Sequence, residues 1–217
     1  MIKAVVIDFD DTLCLTEAAC FELENAVLEL MDCQPQTREI HKQTWGQPLF
    51  EIITTRSPGV NVVQFRELMQ EMLPLWVSEG KIDTITRANI ETLDKLLQEG
   101  KELYILTSRT HDEVIHLLAP DHDLASRIKA FYYRDIMAFH KPDPRAFDEV
   151  LNDHKLDHGE CVYVGDSPSD AMAAKQAGLH FIASLESGVR TEADFATLPV
   201  DAFVNTFSDI PAAIVKL

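Results

Sequence analysis

Three carboxylates crowd into four positions near the start of the chain: Asp8, Asp10 and Asp11 follow the unbroken apolar run Ala4-Val5-Val6-Ile7. A valine-rich run of that kind reads as a strand buried on both faces, as in a parallel sheet flanked by helices. In open sheets of this type, ligands bind outside the carboxyl ends of the strands. Alternation along an extended backbone points Asp8 and Asp10 to one side and Phe9 to the other. Two carboxylates so placed suit a divalent hard cation, a nucleophile with an acid/base partner, or both. The plainer reading is a strand that runs into an acidic turn, because Asp-Asp-Thr is also turn and N-cap chemistry.

Three further apolar runs lead into polar residues of matching kind. Leu103–Leu106 is followed by Thr107-Ser108-Arg109, and Ala130–Tyr133 precedes His140-Lys141-Pro142-Asp143-Pro144. Cys161–Val164 is followed by Gly165-Asp166-Ser167-Pro168-Ser169-Asp170. Right-handed crossovers bring these ends to one edge of a parallel sheet. The combined set holds a candidate carboxylate nucleophile, a second carboxylate, a hydroxyl, a lysine and a further acidic pair. Phosphoryl transfer through an aspartyl-phosphate needs such a set, with positive charge to counter the transferring oxygens. Each residue also has a plainer use. Thr12 can cap a turn, and Asp170, three residues after Ser167, can be the acidic half of a capping box. Lys141 stands before a helix start, where the helix dipole disfavours a cation, so it asks for an anionic partner.

The elements that must position these residues follow from hydrophobic periodicity. Helices are expected over Thr16–Met31 and Asn61–Ser78, the second kinked or shortened by Pro74, with short helical pieces between them. Nothing between 15 and 82 reads as a strand. From residue 84 onward helices and strands alternate. Helices are expected over Thr84–Glu99, Asp112–Ala119, Pro144–His154 and Ser169–Ala177, and strands at Leu103–Thr107, Ala130–Tyr133, Cys161–Val164, His180–Ala183 and Ala202–Val204. That order means βαβ units and a parallel sheet. The fold class is therefore α/β: a Rossmann-like parallel-sheet core, 1–14 plus 83–217, interrupted by an all-helical domain over 15–82.

Bulk properties narrow the function classes. The chain of 217 residues has 46% hydrophobic and 25% charged residues, ordinary for a globular protein with a sizeable core. Its 19 basic against 36 acidic residues leave a net charge of −17, which argues against nucleic acid and anionic membranes as partners. A small phosphorylated metabolite stays compatible if a bound cation reverses the local sign. No apolar stretch approaches ~18 residues and no leader pattern stands at the start, so a cytoplasmic location is expected. Cys14, Cys20, Cys33 and Cys161 lack metal-ligand spacing and read as buried thiols in a reducing compartment.

Asp8-x-Asp10-x-Thr12, Thr107-Ser108, Lys141-Pro142 and Gly165-Asp166-x3-Asp170, in that order, resemble the four motifs of the haloacid dehalogenase superfamily. The resemblance extends to its branch with a helical cap inserted after the first motif, which includes phosphoglycolate phosphatase and β-phosphoglucomutase. It implies that Asp8 attacks the phosphoryl group and that Asp10 protonates the leaving oxygen, then deprotonates the attacking water. It implies that Thr107 and Ser108 bind phosphoryl oxygens and that Lys141 joins them to Asp8. Mg²⁺ is implied on Asp8, the Asp10 backbone carbonyl, Asp166 and Asp170, the last directly or through water. Ser108-Arg109 departs from the Ser-Asn or Asn-Ser common after the motif threonine. Asp10 is absent from the dehalogenases and phosphonatases of this superfamily, so a phosphatase is favoured, with a phosphosugar mutase as the alternative. A non-catalytic phospho-binding protein is expected to have lost Asp8 or Asp10. Arg38, His41, Lys42, Trp45, Arg56 and Arg66 of the cap are candidate substrate contacts, and cap closure is expected to exclude water.

Overall fold

The computed structural model describes residues 1–217, which divide into two compact units. One unit is Met1–Cys14 with Ile85–Leu217, and the other is Leu15–Thr84.

The larger unit is built on a six-stranded sheet. β1 is Ala4–Ile7, and the chain leaves it for the helical unit, which holds α1 (Glu17–Leu30), α2 (Arg38–Thr44), α3 (Leu49–Arg56) and α4 (Val62–Ser78). After the return come α5 (Arg87–Gln98), β2 (Glu102–Leu106), α6 (His111–Val114), β3 (Ala130–Tyr132) and α7 (Asp148–His154). The chain ends with β4 (Cys161–Gly165), α8 (Pro168–Gln176), β5 (His180–Ser184), β6 (Ala202–Val204) and α9 (Ile210–Ile214). The strand order is β3-β2-β1-β4-β5-β6, and every pairing is parallel. β1 sits inside the sheet, with Ile7 opposite Ile105 on one side and Val164 on the other. Strand alternation sends Val5, Ile7, Leu103, Ile105, Val162 and Val164 to one buried layer. Val6, Tyr104, Leu106, Tyr163 and Phe181 go to the other. This in-phase register lines up the carboxyl ends of β1, β2 and β4, because parallel partners share direction.

Some elements differ from their expected form. α5 begins at Arg87, since the Thr86 hydroxyl accepts from Asn89 N–H and makes Thr86 the N-cap. The helix expected over Asp112–Ala119 stops at Val114. Leu117 N–H already turns to the carbonyl of Val114, three residues back, and Pro120 disfavours helical backbone at Ala119. The first turn of the expected Pro144–His154 helix is a tighter 3₁₀ turn, Pro144–Phe147. α4 runs on through Pro74 without a break. Met72, Leu73, Trp76 and Val77, on both sides of the proline, pack into the apolar cluster of the helical unit and hold it in line. Cys14 and Cys161 are buried, whereas Cys20 and Cys33 are only half-buried; all four are free thiols. No helix is long and apolar enough to cross a membrane.

The helical unit has an apolar centre of Leu23, Val27, Leu28, Ile53 and Phe65 beside a buried ionic network. Arg56 donates to Glu24 at 2.7 Å and, through Nε, to the Thr44 hydroxyl at 2.9 Å. Gln36 also donates to Glu24 at 2.7 Å. His41, fully buried, stands 2.6 Å from Glu17 through Nδ1 and 3.5 Å from Glu24 through Nε2. Burial alone raises the affinity of Glu24 for a proton, yet His41, Arg56 and Gln36 outweigh it and hold the carboxyl below its usual range. Removing one partner of a buried ion pair strands the other. Arg56→Met is therefore expected to lower stability by about 3–5 kcal/mol. Urea unfolding checks this, and a loss below about 1 kcal/mol would contradict the network's structural role.

Candidate active site

The site is assembled from backbone that ends each strand abruptly. Past Ile7 the chain leaves the extended form: Asp10 bridges Cys14, and Asp11 N–H bonds the Cys14 carbonyl at 2.7 Å. Asp11 takes the left-handed backbone this turn needs, with φ 53°, which aspartate tolerates better than most residues. Phe9 turns into the apolar layer with Val5, Ile7 and Leu13. Asp8 falls on the face of Val6, and Val6 pairs with Tyr163. That places the Asp8 carboxylate over the Tyr163 side of the sheet. Thr107, directly after β2, is held by its N–H on the Tyr132 carbonyl at 2.9 Å. At the end of β4, Ser167 caps α8 and Pro168 occupies its first turn.

Lys141 sits at the centre of what results. Its ammonium lies 2.9 Å from Asp8 Oδ1, 2.7 Å from Asp170 Oδ1 and 2.8 Å from the Tyr163 hydroxyl. Its side chain is 6% exposed. Burial works against its charge, but Asp170 and Asp8 prevail and raise its proton affinity well above that of a free lysine. The expectation that Lys141 has an anionic partner is met twice over.

Carboxylate oxygens of Asp8, Asp166 and Asp170 lie within 4.8 Å of one another, and all three residues are buried. Burial pushes the Asp8 carboxyl up to about 7; Lys141 pulls it down, while Asp170 and Asp10 add to the rise. Burial, with Asp170, Asp8 and Asp11 close by, also drives Asp166 well above the carboxylate range. Such a group is unfavourable without a compensating cation beyond Lys141. Hard, buried oxygen donors at this spacing fit Mg²⁺, which takes one or two carboxylates and fills its remaining positions with substrate and water.

The members are not equivalent. Asp170 is already spoken for: Oδ1 receives Lys141, and Oδ2 receives the Ser167 N–H at 3.0 Å and its hydroxyl at 2.7 Å. The capping box and the site contact thus coexist in one side chain. Asp10 does not join the cluster. Its two oxygens take Arg109 Nε at 3.2 and 3.0 Å, and Arg109 Nη2 adds a contact of 2.7 Å to Oδ1. Arg109 in turn lies over the Phe9 ring, 4.6 Å from its centroid. Asp10 is still close enough to Asp8 to raise its proton affinity, while Arg109 holds the Asp10 carboxylate outside the Asp8–Asp166–Asp170 group. Thr107 is buried at the rim, its hydroxyl accepting from Arg109 N–H, whereas Ser108 is exposed. The Thr12 hydroxyl is fully buried and has no hydrogen-bond partner, so it does not cap the turn.

Two residues of this geometry escaped the sequence reading. Arg109 was visible only as a departure from a motif. Tyr163 reads in the sequence as strand core, although strand alternation and its position two residues before Gly165 put its ring below the site. Among the candidate substrate contacts of the helical unit, His41 and Arg56 are committed to the buried network. Arg38 pairs with Glu17 at 2.5 Å, and Arg66 stacks on Phe50.

Gly165 has a steric reason. A Cβ there would stand 2.7 Å from the Asp170 carboxyl carbon and from Oδ2. The carboxylate cannot retreat, because Lys141 and Ser167 hold both oxygens. Gly165→Ala is expected to cost about 1–3 kcal/mol of stability. Denaturant unfolding measures it, and a variant as stable as the parent would show that Asp170 is not pinned.

Comparison with known proteins follows the same lines. A family model described as haloacid dehalogenase-like hydrolase matches residues 5–184. The chain is 24% identical over 218 residues to a phosphoglycolate phosphatase of Rhodobacter capsulatus, covering 99% of this chain and 97% of that one. It is 26% identical over 179 residues to a putative pyrophosphatase, PpaX, of Clostridium perfringens, covering 82% and 81%. Among solved structures, CbbY from Rhodobacter sphaeroides in complex with phosphate superposes with a TM-score of 0.78 at 20% identity, over 99% of this chain and 100% of that one. A putative β-phosphoglucomutase from Thermotoga maritima gives 0.77 at 23% identity, with both chains fully covered.

Proposed function

The chain belongs to the haloacid dehalogenase-like hydrolases, and on that premise we propose that it is a phosphatase that hydrolyses a small phosphorylated metabolite through an aspartyl-phosphate on Asp8. The observation that carries the reading is the buried Lys141 ammonium, 2.9 Å from Asp8 Oδ1 where four strand-end segments converge. A carboxylate nucleophile that touches a fixed cation has the charge it needs to receive a phosphoryl group.

Asp8 attacks phosphorus, the bond to the leaving oxygen breaks, and Asp10 supplies that oxygen with a proton. Asp10 then takes a proton from the water that attacks the phosphoenzyme, and phosphate departs. Arg109 contacts both oxygens of Asp10 and fixes the orientation of that carboxyl group. Lys141 and the Thr107 hydroxyl are the donors for the transferring oxygens. Asp8 and Asp166, with the Asp10 backbone carbonyl, would hold Mg²⁺, and Asp170 would join them directly or through water. The bound cation supplies charge that offsets both the crowded acids and the phosphoryl oxygens. The helical unit is assigned the role of cap. Relatives named phosphoglycolate phosphatase and pyrophosphatase favour hydrolysis over sugar-phosphate isomerisation.

Purified protein is expected to release phosphate from an aryl phosphate when Mg²⁺ is present and to stop when EDTA is added. Asp8→Asn is expected to lower kcat by at least ~10³-fold. Colorimetric phosphate assays over a panel of phosphorylated metabolites check both. Turnover that survives in Asp8→Asn would remove the nucleophile from this scheme.

A further inference from the structure

The proposed chemistry uses Lys141 but leaves unexplained what keeps a long, flexible side chain at one point between two carboxylates. An ammonium has three protons to donate and no acceptor capacity. Asp8 Oδ1 at 2.9 Å and Asp170 Oδ1 at 2.7 Å account for two of them. The third acceptor within reach is the Tyr163 hydroxyl at 2.8 Å. That hydroxyl has one proton of its own and two acceptors in reach, the Leu106 carbonyl at 3.2 Å and Asp170 Oδ1 at 3.4 Å. Leu106 is the last residue of β2 and immediately precedes Thr107. A single phenol therefore links the lysine to the backbone that sets the Thr107 position.

The ring that bears this hydroxyl cannot drift. Tyr163 is fully buried in the sheet and meets the Phe147 ring edge to face, centroids 4.9 Å apart at 73°. Phe147 closes the 3₁₀ turn that begins three residues after Lys141, so the phenol braces the loop that carries the lysine as well as its tip. With no exposed surface, Tyr163 has no access to substrate. Lys141 needs this third point. Without it, the ammonium keeps two acceptors on one side and a buried, unpaired proton on the other.

We propose that Tyr163 is a positioning residue for Lys141: its hydroxyl holds the ammonium against both Asp8 and Asp170 and couples it to the end of β2. The inference rests on the phosphatase reading for its kinetic consequence, but not for its structural one. Tyr163→Phe removes one oxygen and keeps the ring packing. Misplacement of a clamping group by a fraction of an ångström to an ångström costs ~10- to 100-fold in rate. Tyr163→Phe is therefore expected to lower kcat ~10-fold or more while KM stays within about twofold. Tyr104→Phe serves as the control. Tyr104 is another fully buried tyrosine of the same sheet face, its hydroxyl is bound to Glu102 at 2.7 Å, and its removal is expected to leave kcat unchanged.

The second readout does not depend on turnover. In protein with ¹⁵N-labelled lysine, a hydrogen-bonded, buried ammonium gives a proton–nitrogen cross-peak that survives exchange with water. Loss of one peak in Lys141→Met assigns it. The peak is expected in the parent and in Tyr104→Phe, and expected to broaden or vanish in Tyr163→Phe. A Lys141 signal equally protected in Tyr163→Phe overturns the inference, whatever the activity. An inactive parent that still shows this pattern overturns the phosphatase reading and leaves the positioning role standing. Equal kcat in the parent and Tyr163→Phe overturns the kinetic role.

Discussion

One ammonium group makes this core possible. Asp8, Asp166 and Asp170 lie within 4.8 Å of one another in a buried setting, and three ionised carboxylates there repel strongly. Lys141 is the fixed positive charge that the chain itself provides, and it touches two of the three. The remaining imbalance is visible in the proton affinity of the acids: Asp8 is pushed up to about 7 and Asp166 well above its usual range. A site left in this state invites a divalent cation and an anionic substrate together, since each neutralises what the other brings.

The rest of the core serves to hold this arrangement. Parallel pairing in register brings the ends of β1, β2 and β4 level, so residues from distant parts of the sequence meet. Gly165 has no side chain because the Asp170 carboxyl group occupies the space a Cβ would need. Asp170, in turn, is anchored from the other direction by the cap of α8. Arg109 adds a further constraint: it binds both oxygens of Asp10 while stacking on Phe9. Asp8 and Asp10, proposed as nucleophile and acid/base group, therefore rest on different cations, Asp8 on a lysine and Asp10 on an arginine. That separation suits two carboxylates with different tasks.

Much of this was legible in the sequence, for identifiable reasons. Buried parallel strands have a continuous apolar signature, so Ala4–Ile7, Leu103–Leu106 and Cys161–Val164 stood out, and the polar residues after them marked the sheet edge. The long amphipathic helices α1, α4 and α5 were equally plain. Short elements were less so, because their form depends on neighbours: the Asp112 segment turns after four helical residues, and Pro74 is carried by the packing on both sides of it. The pairing of Asp10 with Arg109 could not be read at all, since two residues 99 positions apart meet only once the sheet forms. Tyr163 was hidden for another reason. In a buried strand a tyrosine looks like any other apolar residue, and only the lysine above it reveals the use of its hydroxyl.

The central claim is that these crowded acids let Asp8 carry a phosphoryl group. Acid quenching during turnover, followed by peptide mass mapping, tests it most directly. A phosphate on the peptide that contains Asp8, labile to hydroxylamine and absent from Asp8→Asn, is the result expected. Turnover with no labelled peptide, or with the label on a peptide that lacks Asp8, would contradict the account.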